Sequence, residues 1–445
     1  MKPYPKYKAS GVHWLGPVPS HWNVEKLKYI VRFIGGGTPS KEESAYWEGD
    51  IPWVSPKDMK RARITDTEDY ITEAGLAASP CTSVPVGSVL VVVRSGILQH
   101  TIPVAVNRVA VTVNQDLKAL VPGESIDGNF LAYQIQGCND VLLDEWVKQG
   151  ATVESVEHQR MADTRLALPP LLEQLAVVDY LDAETARIDE LIGEKTELIA
   201  LLREHRQGVA SDVVIRGLDR ERAMRPVAGG FVAIPAHWRF APLKRFVRVV
   251  GGHTPSTDNP AFWDGSMPWV SPKDMKREEV SDSVDHVTDA ALKECGLTVV
   301  EPGATLVVVR GMILAHTFPV ARNVVPVTIN QDMKAIQPES DLLPEYLPWL
   351  LRGVTPVVLS LTEQSAHGTL ALRTDKFFGE AFPIPPIGEQ IEIVEFLQGE
   401  LPRIDELIAH TQDEIRLLKE LRLVTLTDAV LGRFDVRTLS GSRPS

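Results

Sequence analysis

The chain has 445 residues, of which 44% are apolar and 24% charged, and it carries a net charge of −13 at neutral pH. A single hydrophobic core stops growing at about 250–300 residues, so this length predicts at least two domains. The three cysteines form no CxxC pair, which disfavours a zinc site or a disulfide framework and suits a reducing cytoplasm.

Two apolar runs, which end at Arg94 and Arg310, are too short to span a bilayer and instead predict buried strands. The first ten residues lack the apolar segment of a signal peptide. We therefore expect a cytoplasmic protein that does not associate with membranes.

The sequence repeats itself at a constant spacing of 216 residues. The letters PWVSPKDMK occur at 52–60 and again at 268–276, and the motifs PSHW/PAHW, VVVR, NQDLKA/NQDMKA, PP..EQ and RIDELI recur at the same spacing. Insertions and deletions between the copies must nearly cancel. The chain therefore contains one unit of about half its length, used twice.

In chain order, the two copies divide into five segments. Short β-branched runs between glycine and proline turns predict mixed α/β (α+β) globular domains. The segments are a first globular domain at 1–170, a long helix at 171–216, a linker and second globular domain at 217–386, a second long helix at 387–433, and a loose tail at 434–445.

The PWVSPKDMK loop is the first candidate for contact with DNA. A proline-stiffened loop that ends in several cations can meet phosphates, and a hydroxyl beside them can position those phosphates. The alternative is a solvated turn that follows a buried tryptophan. The candidates are Ser55, Lys57, Lys60 and Arg61, with Ser271, Lys273, Lys276 and Arg277 in the second copy.

The VVVR motif supplies Arg94 and Arg310, each followed by a threonine, Thr101 or Thr317. Arginine forms bidentate contacts with guanine or phosphate, although an arginine at the end of a strand can instead pair with an internal carboxylate. The histidines between them have no neighbouring His, Cys or Glu cluster, so we expect no metal site.

The NQD motif supplies amides that can read adenine edges, with a lysine two residues beyond it. The alternative is an Asx-turn, in which the side chain bonds the nearby backbone. The candidates are Asn114, Gln115 and Lys118, with Asn330, Gln331 and Lys334 in the second copy.

Each long helical segment carries ten acidic and five basic residues, so the acidity of the chain is concentrated there. Apolar residues alternate at spacings of four and three, which is typical of helices that pack along one another; a helix lying on its own domain is the alternative. The residues expected in the seam are Ile188, Ile192, Ile199 and Leu202, with Ile404, Ile408, Ile415 and Leu418 in the second copy.

Several motifs of catalysis are absent from the sequence. There is no GxxxxGK[ST] phosphate loop, no HExxH and no glycine-rich dinucleotide fingerprint. The [DN]PP[YF] stretch of amino-methyltransferases is also missing, and NPAF at 259–262 resembles it only superficially.

Taken in order, the stretch SGVHWLGPVPSHWNVEKLKYI at 10–30, the motifs LPPLLEQ and IPPIGEQ, and the repeated RIDELI resemble the specificity (S) subunits of type I restriction-modification systems. The resemblance covers nearly the whole chain. It implies two target-recognition domains separated by two long helices that pack antiparallel, in a subunit with no chemistry of its own.

The resemblance also implies the partners. They are double-stranded DNA, two methyltransferase subunits that transfer methyl from S-adenosylmethionine to adenine, and restriction subunits that act as ATP-driven motor nucleases. S-adenosylmethionine, ATP and Mg are accordingly expected on the partner subunits, and no cofactor on this chain.

In one respect the chain departs from the family. Recognition domains there usually differ strongly, yet 91–120 and 307–336 are identical at 20 of 30 positions. We therefore expect a bipartite target with similar, inverted half-sites around an unread gap. The alternatives are the recognition subunit of a combined restriction-modification enzyme outside type I, a tandem-domain scaffold that binds proteins, and a self-contained methyltransferase or nuclease.

Overall fold

The computed structural model describes residues 2–148, 154–339, 341–364 and 369–438. The chain forms two compact units. The first unit contains the residues up to Lys195 together with those from Asp413 onward, and the second unit is Thr196–Gln412. Each long helix thus contributes residues to both units. Within the described ranges, no helix is both long enough and apolar enough to cross a bilayer.

Within the described residues, the first copy of the repeat contains twelve strands, and it ends in the first long helix. Its strands are β1 (Tyr7–Ala9), β2 (Pro17–Pro19), β3 (Asn23–Lys26), β4 (Val31–Gly35), β5 (Trp47–Val54), β6 (Arg63–Ile64), β7 (Asp69–Ile71), β8 (Val89–Val92), β9 (Val104–Asn107), β10 (Thr112–Val113), β11 (Leu117–Pro122) and β12 (Arg165–Leu168) in the part of the chain that is described. Its helices are α1 (Leu27–Ile30), α2 (Glu73–Ala77), α3 (Gly128–Gly137), α4 (Asn139–Trp146), α5 (His158–Asp163) and α6 (Leu171–Arg216).

The second copy follows a similar order, with the additional hairpin of β24 and β25 among the described strands, and ends in the second long helix. Its strands are β13 (Met224–Pro226), β14 (Ala233–Pro235), β15 (Arg239–Pro242), β16 (Val247–Gly251), β17 (Trp263–Val270), β18 (Glu279–Val280), β19 (Asp285–Val287), β20 (Thr305–Val308), β21 (Val320–Asn323), β22 (Thr328–Ile329), β23 (Met333–Pro338), β24 (Thr362–Gln364), β25 (Leu370–Leu372) and β26 (Ala381–Ile384). Its helices are α7 (Asp289–Glu294), α8 (Tyr346–Gly353), α9 (Thr355–Leu359), α10 (Thr374–Gly379) and α11 (Ile387–Val430).

Both units have the same sheet topology. In the first, a five-stranded sheet has the order β4-β11-β8-β9-β6 and a three-stranded sheet the order β10-β5-β7. In the second, the corresponding orders are β16-β23-β20-β21-β18 and β22-β17-β19. The repeat seen in the sequence is therefore a repeat of fold, with the same strand order in the five-stranded and the three-stranded sheet.

The five-stranded sheet of the first unit is buried on both faces. Val89 and Val91 point into the larger core, which also contains residues of α6 and α11, whereas Leu90 and Val92 point into a smaller core shared with β5. Strands covered on both faces read as continuous apolar runs, which is why VLVV shows no alternation.

Within each unit, α6 and α11 pack against each other. In the first unit, the Asp189 carboxylate bonds Arg422 at 2.9 Å, and Lys195 bonds Glu414 at 2.5 Å. The α11 partner moves back toward the start of its helix as the α6 residue advances, so the two segments run antiparallel. In the second unit, the matching pair joins Arg206 to Asp405 at 2.7 Å.

The predicted seam residues are all at least half-buried. Ile188 is 1% exposed, Ile199 8% and Ile404 7%. The half-buried seam residues are Ile192, Leu202, Ile408, Ile415 and Leu418.

The PP..EQ motif fixes the start of each long helix. The buried Glu173 carboxylate accepts hydrogen bonds from the Tyr4 hydroxyl at 2.5 Å and the Trp22 indole at 3.0 Å, and it contacts His21 at 2.8 Å. Burial and the bond to Glu173 raise the pKa of Tyr4.

The glutamine of the motif makes a second contact. Gln174 accepts a hydrogen bond from the Asp127 amide at 2.8 Å, at the start of α3. The motif thus ties helix and domain together.

The second copy has the same connection. Glu389 accepts from the Trp238 indole at 2.9 Å and contacts His237 at 2.6 Å, while Gln390 accepts from the Leu343 amide at 2.8 Å. The HW and EQ motifs are therefore two halves of one contact.

The end of the chain differs from the sequence prediction in two ways. The second long helix ends at Val430 instead of 433, and Gly432 follows it with a φ of 65°. The loose tail was expected from residue 434, yet Phe434 and Val436 are 5% and 2% exposed, and both belong to the core of the first unit. The prediction was wrong for 434–438 because their packing depends on residues at the start of the chain. The remainder of the predicted tail, 439–445, lies outside the described residues.

Candidate nucleic-acid interface

Ser55 and Ser271 serve as caps of the loop. The amide and hydroxyl of Ser55 donate to the Asp58 carboxylate at 2.8 and 2.9 Å, and Ser271 makes the same two bonds to Asp274. Both serines are nearly buried, at 5% and 6% exposed. Their hydroxyls are therefore used within the loop, in contrast to the expectation that they contact DNA.

Lys57 and Lys273 are paired within their own domain. Lys57 lies 2.9 Å from Asp69 and 3.1 Å from Glu68, and Lys273 lies 2.6 Å from Asp285. The bonds to Asp69 and then Glu68 raise the pKa of Lys57 to about 12. These lysines hold the loop to β7 and β19, so their charge is already compensated, in contrast to the expectation that they meet phosphates.

The last two cations of each loop are different. Lys60 and Arg61, like Lys276 and Arg277, are exposed. In the described part of the chain, none of the four forms an ion pair with a carboxylate. They are therefore the cations of this loop that are available to an anionic ligand.

The asparagines of the NQD motif form Asx-turns. The Asn114 side chain accepts from the Asp116 amide at 3.0 Å, and Asn330 accepts from the Asp332 amide at 3.1 Å. They are 5% and 7% exposed. For both asparagines, the geometry favours an Asx-turn over contact with an adenine.

The neighbouring glutamines are exposed and accept a hydrogen bond from a threonine, Gln115 from Thr38 and Gln331 from Thr254. Each threonine belongs to a glycine-rich turn that packs closely on the NQD backbone. A Cβ added at Gly36 would lie 1.8 Å from the Asn114 carbonyl oxygen, so this position requires glycine.

Two tryptophans of β5 hold the same glycine-rich turn. The Trp53 indole donates to the Gly37 carbonyl and the Trp47 indole to the Ser40 carbonyl, both at 3.0 Å. The two rings meet edge to face at 5.2 Å. The second copy reproduces the ring pair with Trp263 and Trp269 at 5.1 Å. Buried Trp53 and Trp269 agree with the expected turn after a core tryptophan.

Lys118 lies at one end of β11, with its Nζ 3.2 Å from Nδ1 of His158. Burial lowers the pKa of Lys118, and burial together with the Lys118 charge lowers the pKa of His158. Lys334 is half-buried at the matching position of β23, beside Gly251.

The two strand-terminal arginines have different environments. Arg310 bonds the Asp332 carboxylate at 2.7 Å, which is the alternative foreseen for it. Arg94 is exposed, and within the described ranges its side chain forms no ion pair. Thr101 donates to Asn139 at 3.1 Å, whereas Thr317 is exposed.

A cleft of about 760 Å³ in the first unit brings some of these residues together. Lys60, Arg61 and Thr101 line it, and Lys419 and Arg422 of α11 face them. Neither Lys419 nor Arg422 was named from the sequence as a candidate for DNA contact. The signal for both was a pair of cations three residues apart, on one face of an otherwise acidic helix.

In the part of the chain that is described, no group of three or more His, Cys, Asp or Glu side chains could hold a metal ion. The arrangement is instead one of exposed cations and amides on loops that are fixed by internal hydrogen bonds. Loops of this kind suit the contact of an anionic polymer.

Comparison with known proteins decides the family. Residues 19–200 and 235–417 match a family model described as the type I restriction modification DNA specificity domain. The chain belongs to this family. The matched segments cover both copies of the repeat, so the resemblance inferred from the motifs is confirmed.

Relatives within the specificity-domain family differ in how much they share. The specificity subunit of the type I restriction enzyme EcoR124I/EcoR124II from Escherichia coli is 37% identical over 172 residues, which are 38% of this chain and 42% of that subunit. This chain thus matches less than half the length of that relative. The MjaIX specificity subunit from Methanocaldococcus jannaschii is 23% identical over 96% of each chain.

Solved structures share the fold at low identity. A chain from a study of complex assembly and conformational transition in the type I R-M system has a TM-score of 0.73 at 18% identity, covering 94% of this chain and 99% of that one. The HsdS subunit from Thermoanaerobacter tengcongensis has a TM-score of 0.51 at 16% identity, covering 94% and 98%. The predicted fold of two mixed α/β domains with long helices that pack together is confirmed.

Proposed function

We propose that this specificity-family chain recognises a bipartite, gapped DNA sequence, with one half-site read by each globular domain. The observation that carries the proposal is the repeat of sheet topology, in which both copies keep the same loops and the same exposed cations. A bipartite target needs two readers, and this chain contains two of one kind.

The proposed phosphate contacts are the exposed cations of the PWVSPKDMK loops. Lys60 and Arg61 serve one half-site and Lys276 and Arg277 the other, because these exposed side chains form no ion pair with a carboxylate in the described structure. Contacts to phosphate position a protein on DNA without specifying sequence.

The proposed base contacts lie at the NQD and VVVR loops. Gln115 and Gln331 present exposed amides on turns that are held from several sides, and Arg94 is an exposed guanidinium. Amides favour adenine and guanidinium groups favour guanine in the major groove. Lys118, Lys334, Arg310, Thr101 and Thr317 remain secondary candidates.

The similarity of the two domains supports similar half-sites in inverted orientation. The stretches that differ most, Ala62–Ala78 against Glu278–Glu294 and Val141–Arg165 against Val357–Ala381, leave room for unequal bases within them. The length of the two long helices is proposed to set the length of the unread gap between the half-sites.

We further propose that the chain is non-catalytic and acts in the cytoplasm. Two methyltransferase subunits would bring S-adenosylmethionine and modify adenine in each half-site, and restriction subunits would bring ATP and Mg. The family supports a role in specificity alone, and the sequence lacks the catalytic motifs that the partners would provide.

The experiment that tests this proposal is a methylome of a methylation-free host that expresses the chain with its methyltransferase subunit. A gapped adenine motif with related, inverted halves supports the proposal in full. Dissimilar half-sites would support the bipartite target and exclude the proposal that the two half-sites are similar and inverted. No motif, from a methyltransferase that is active with another specificity subunit, would favour a protein-binding scaffold. Methylation by the chain alone would favour a self-contained enzyme.

The second candidate is the recognition subunit of a combined restriction-modification enzyme outside type I. The two candidates differ in the partner chain. Copurification of a separate methyltransferase and a separate motor nuclease supports type I, whereas a single polypeptide carrying both activities supports the alternative.

A further inference from the structure

The two readers differ at one place where the pseudo-repeat can be compared residue by residue. In the second unit, Glu278 follows the basic loop and bonds two arginines: Arg206 of α6 at 2.8 Å and Arg352 of α8 at 3.2 Å. Arg352 is 15% exposed, and burial lowers its pKa. The Glu278 carboxylate thus lies between the basic loop and the helices α6 and α8.

In the first unit, the corresponding residues cannot make these bonds. Ala62 stands in the place of Glu278, and Gln136 in the place of Arg352, each 216 positions earlier. Arg422 takes the place of Arg206 and bonds Asp189 at 2.9 Å, as Arg206 bonds Asp405. In the described structure, Arg422 has no second carboxylate to match Glu278.

The cleft of about 760 Å³ lies at this place, and both Ala62 and Gln136 line it. Lys60, Arg61 and Lys419 add positive charge at its walls, and Asp140 is an acidic residue of its lining. The cleft of the first unit therefore contains Arg422, the counterpart of Arg206, but has no counterpart of the Glu278 carboxylate.

Apolar side chains form the rest of the wall. Ile97 and Leu423 are each 43% exposed, and Met59 and Leu426 lie deeper. Phosphodiester groups gain little from apolar contact, whereas a protein segment buries apolar side chains and places its charges at the rim. The combination favours a protein ligand over a nucleic acid.

We propose that this cleft is a docking site for a protein segment in which a carboxylate stands beside apolar side chains, and that the second unit occupies its own equivalent with Glu278. The segment belongs to the methyltransferase subunit, an assignment that rests on the proposed function. The carboxylate of that segment takes the position that Glu278 holds beside Arg206. One of two methyltransferase copies therefore gains a contact that the other lacks.

The test transfers the residues of the second unit into the first. The variant Ala62→Glu with Gln136→Arg supplies the cleft with its own carboxylate and arginine. Ala62→Gln, which adds similar bulk without charge, is the matched control. A second variant, Leu423→Gln, removes an exposed apolar contact and leaves the ion pairs in place. The thermal unfolding midpoint of each variant shows whether it folds.

The measurements are stepwise binding of the methyltransferase subunit to the full chain and binding of a DNA duplex. We expect the double variant to weaken one of the two binding steps by about tenfold. Leu423→Gln should weaken the same step and change DNA affinity by less than about twofold. The Ala62→Gln control should weaken that step far less.

Three outcomes would overturn the inference. Unchanged binding steps in both folded variants would exclude the cleft as a docking site. Normal assembly with weakened DNA binding at low salt would assign the cleft to phosphate. A methyltransferase subunit that fails to bind even the unchanged chain would refute the proposed partner, and the docking site with it, and this result differs from a failure of the variants alone.

Discussion

A single buried carboxylate holds the first long helix to its domain. Glu173 accepts from Tyr4 and Trp22 and is 4% exposed, so removing it leaves several buried donors without an acceptor. Each buried donor left unpaired costs about 1–3 kcal/mol.

We therefore expect Glu173→Ala to lower the free energy of unfolding of the first unit by about 2–4 kcal/mol. Urea unfolding followed by tryptophan fluorescence measures this free energy, because the buried Trp22 becomes exposed on unfolding. Glu190→Ala, an exposed glutamate on the same helix, is the control and should change stability by less than about 0.5 kcal/mol. Equal effects of the two variants would contradict the role of Glu173.

The contact between Lys118 and His158 predicts a dependence on pH. Burial and the Lys118 charge lower the pKa of His158 in the folded state, so the unfolded chain binds this proton more readily. The contribution is favourable above the ordinary histidine pKa of about 6.5 and is lost as the pH falls below it.

His158→Gln should therefore remove part of the decline in the thermal unfolding midpoint between about pH 6.5 and 5. Calorimetry at several pH values measures this difference. His205→Gln, at an exposed histidine of α6, should keep the decline of the unchanged chain. A decline that is the same in all three proteins would refute the assignment.

The candidate site could be predicted from the sequence only as a set of loops. The motifs located the loops correctly because repetition at a fixed spacing marks them. The roles of individual residues were less accessible. Ser55 and Asn114 can each bond either DNA or a neighbouring group of their own loop, and the choice depends on burial. Lys57 and Lys60 look alike in the sequence, and only the position of Asp69 on the neighbouring strand separates a paired lysine from a free one.

At the scale of elements, the long helices depend on a narrow apolar stripe. Ile404 of α11 lies in the core of the second unit beside Leu397 and Leu401 and is 7% exposed, whereas Leu407, less than one turn further, is 48% exposed. Truncation of a buried isoleucine costs about 2–4 kcal/mol through lost contacts and the cavity that it leaves.

Ile404→Ala should accordingly destabilise the second unit by about 2–4 kcal/mol, and Leu407→Ala by less than about 1 kcal/mol. Chemical unfolding of the two variants provides a comparison within one helix. A larger loss for Leu407→Ala would show that α11 buries a different face.

The bounds of α6 agree with the sequence prediction because local signals define both ends: a pair of prolines precedes Leu171, and Gly217 follows Arg216 with a φ of 73°. The strand order, in which β4 pairs β11 and β6 pairs β9, was not predicted. Pairings between strands far apart in sequence depend on contacts that no local pattern records. The packing of Phe434 against the first unit was missed for the same reason.

At the scale of the whole molecule, the net charge of −13 conceals a local arrangement. The acidic excess lies in the two long helices, and the exposed cations lie on the loops of the globular domains. Affinity for DNA should therefore depend on a few side chains and on the salt concentration.

In the assembled complex, Lys60→Ala with Arg61→Ala should reduce the slope of log affinity against log salt by about 1.8, since each lost phosphate contact contributes about 0.9. The loss should be the same on specific and random duplexes. Lys57→Ala is the matched control, because its charge is already paired with Asp69, and it should leave the slope unchanged. A slope that changes equally in both variants would place the phosphate contact elsewhere.

The division of the chain into units also orders events during synthesis. The second unit is one continuous segment, Thr196–Gln412, whereas the core of the first unit needs Leu426, Val430 and Phe434 from the far end of the chain. At a translation rate of about 5–20 residues per second, the first copy waits about 10–40 s for the second to be made before it can close its core. During that interval the core that contains Trp22 has the residues of α6 but lacks Leu426, Val430 and Phe434. The domain that the ribosome makes first is thus the last to be completed, and a chain truncated after the second unit would leave the first one open.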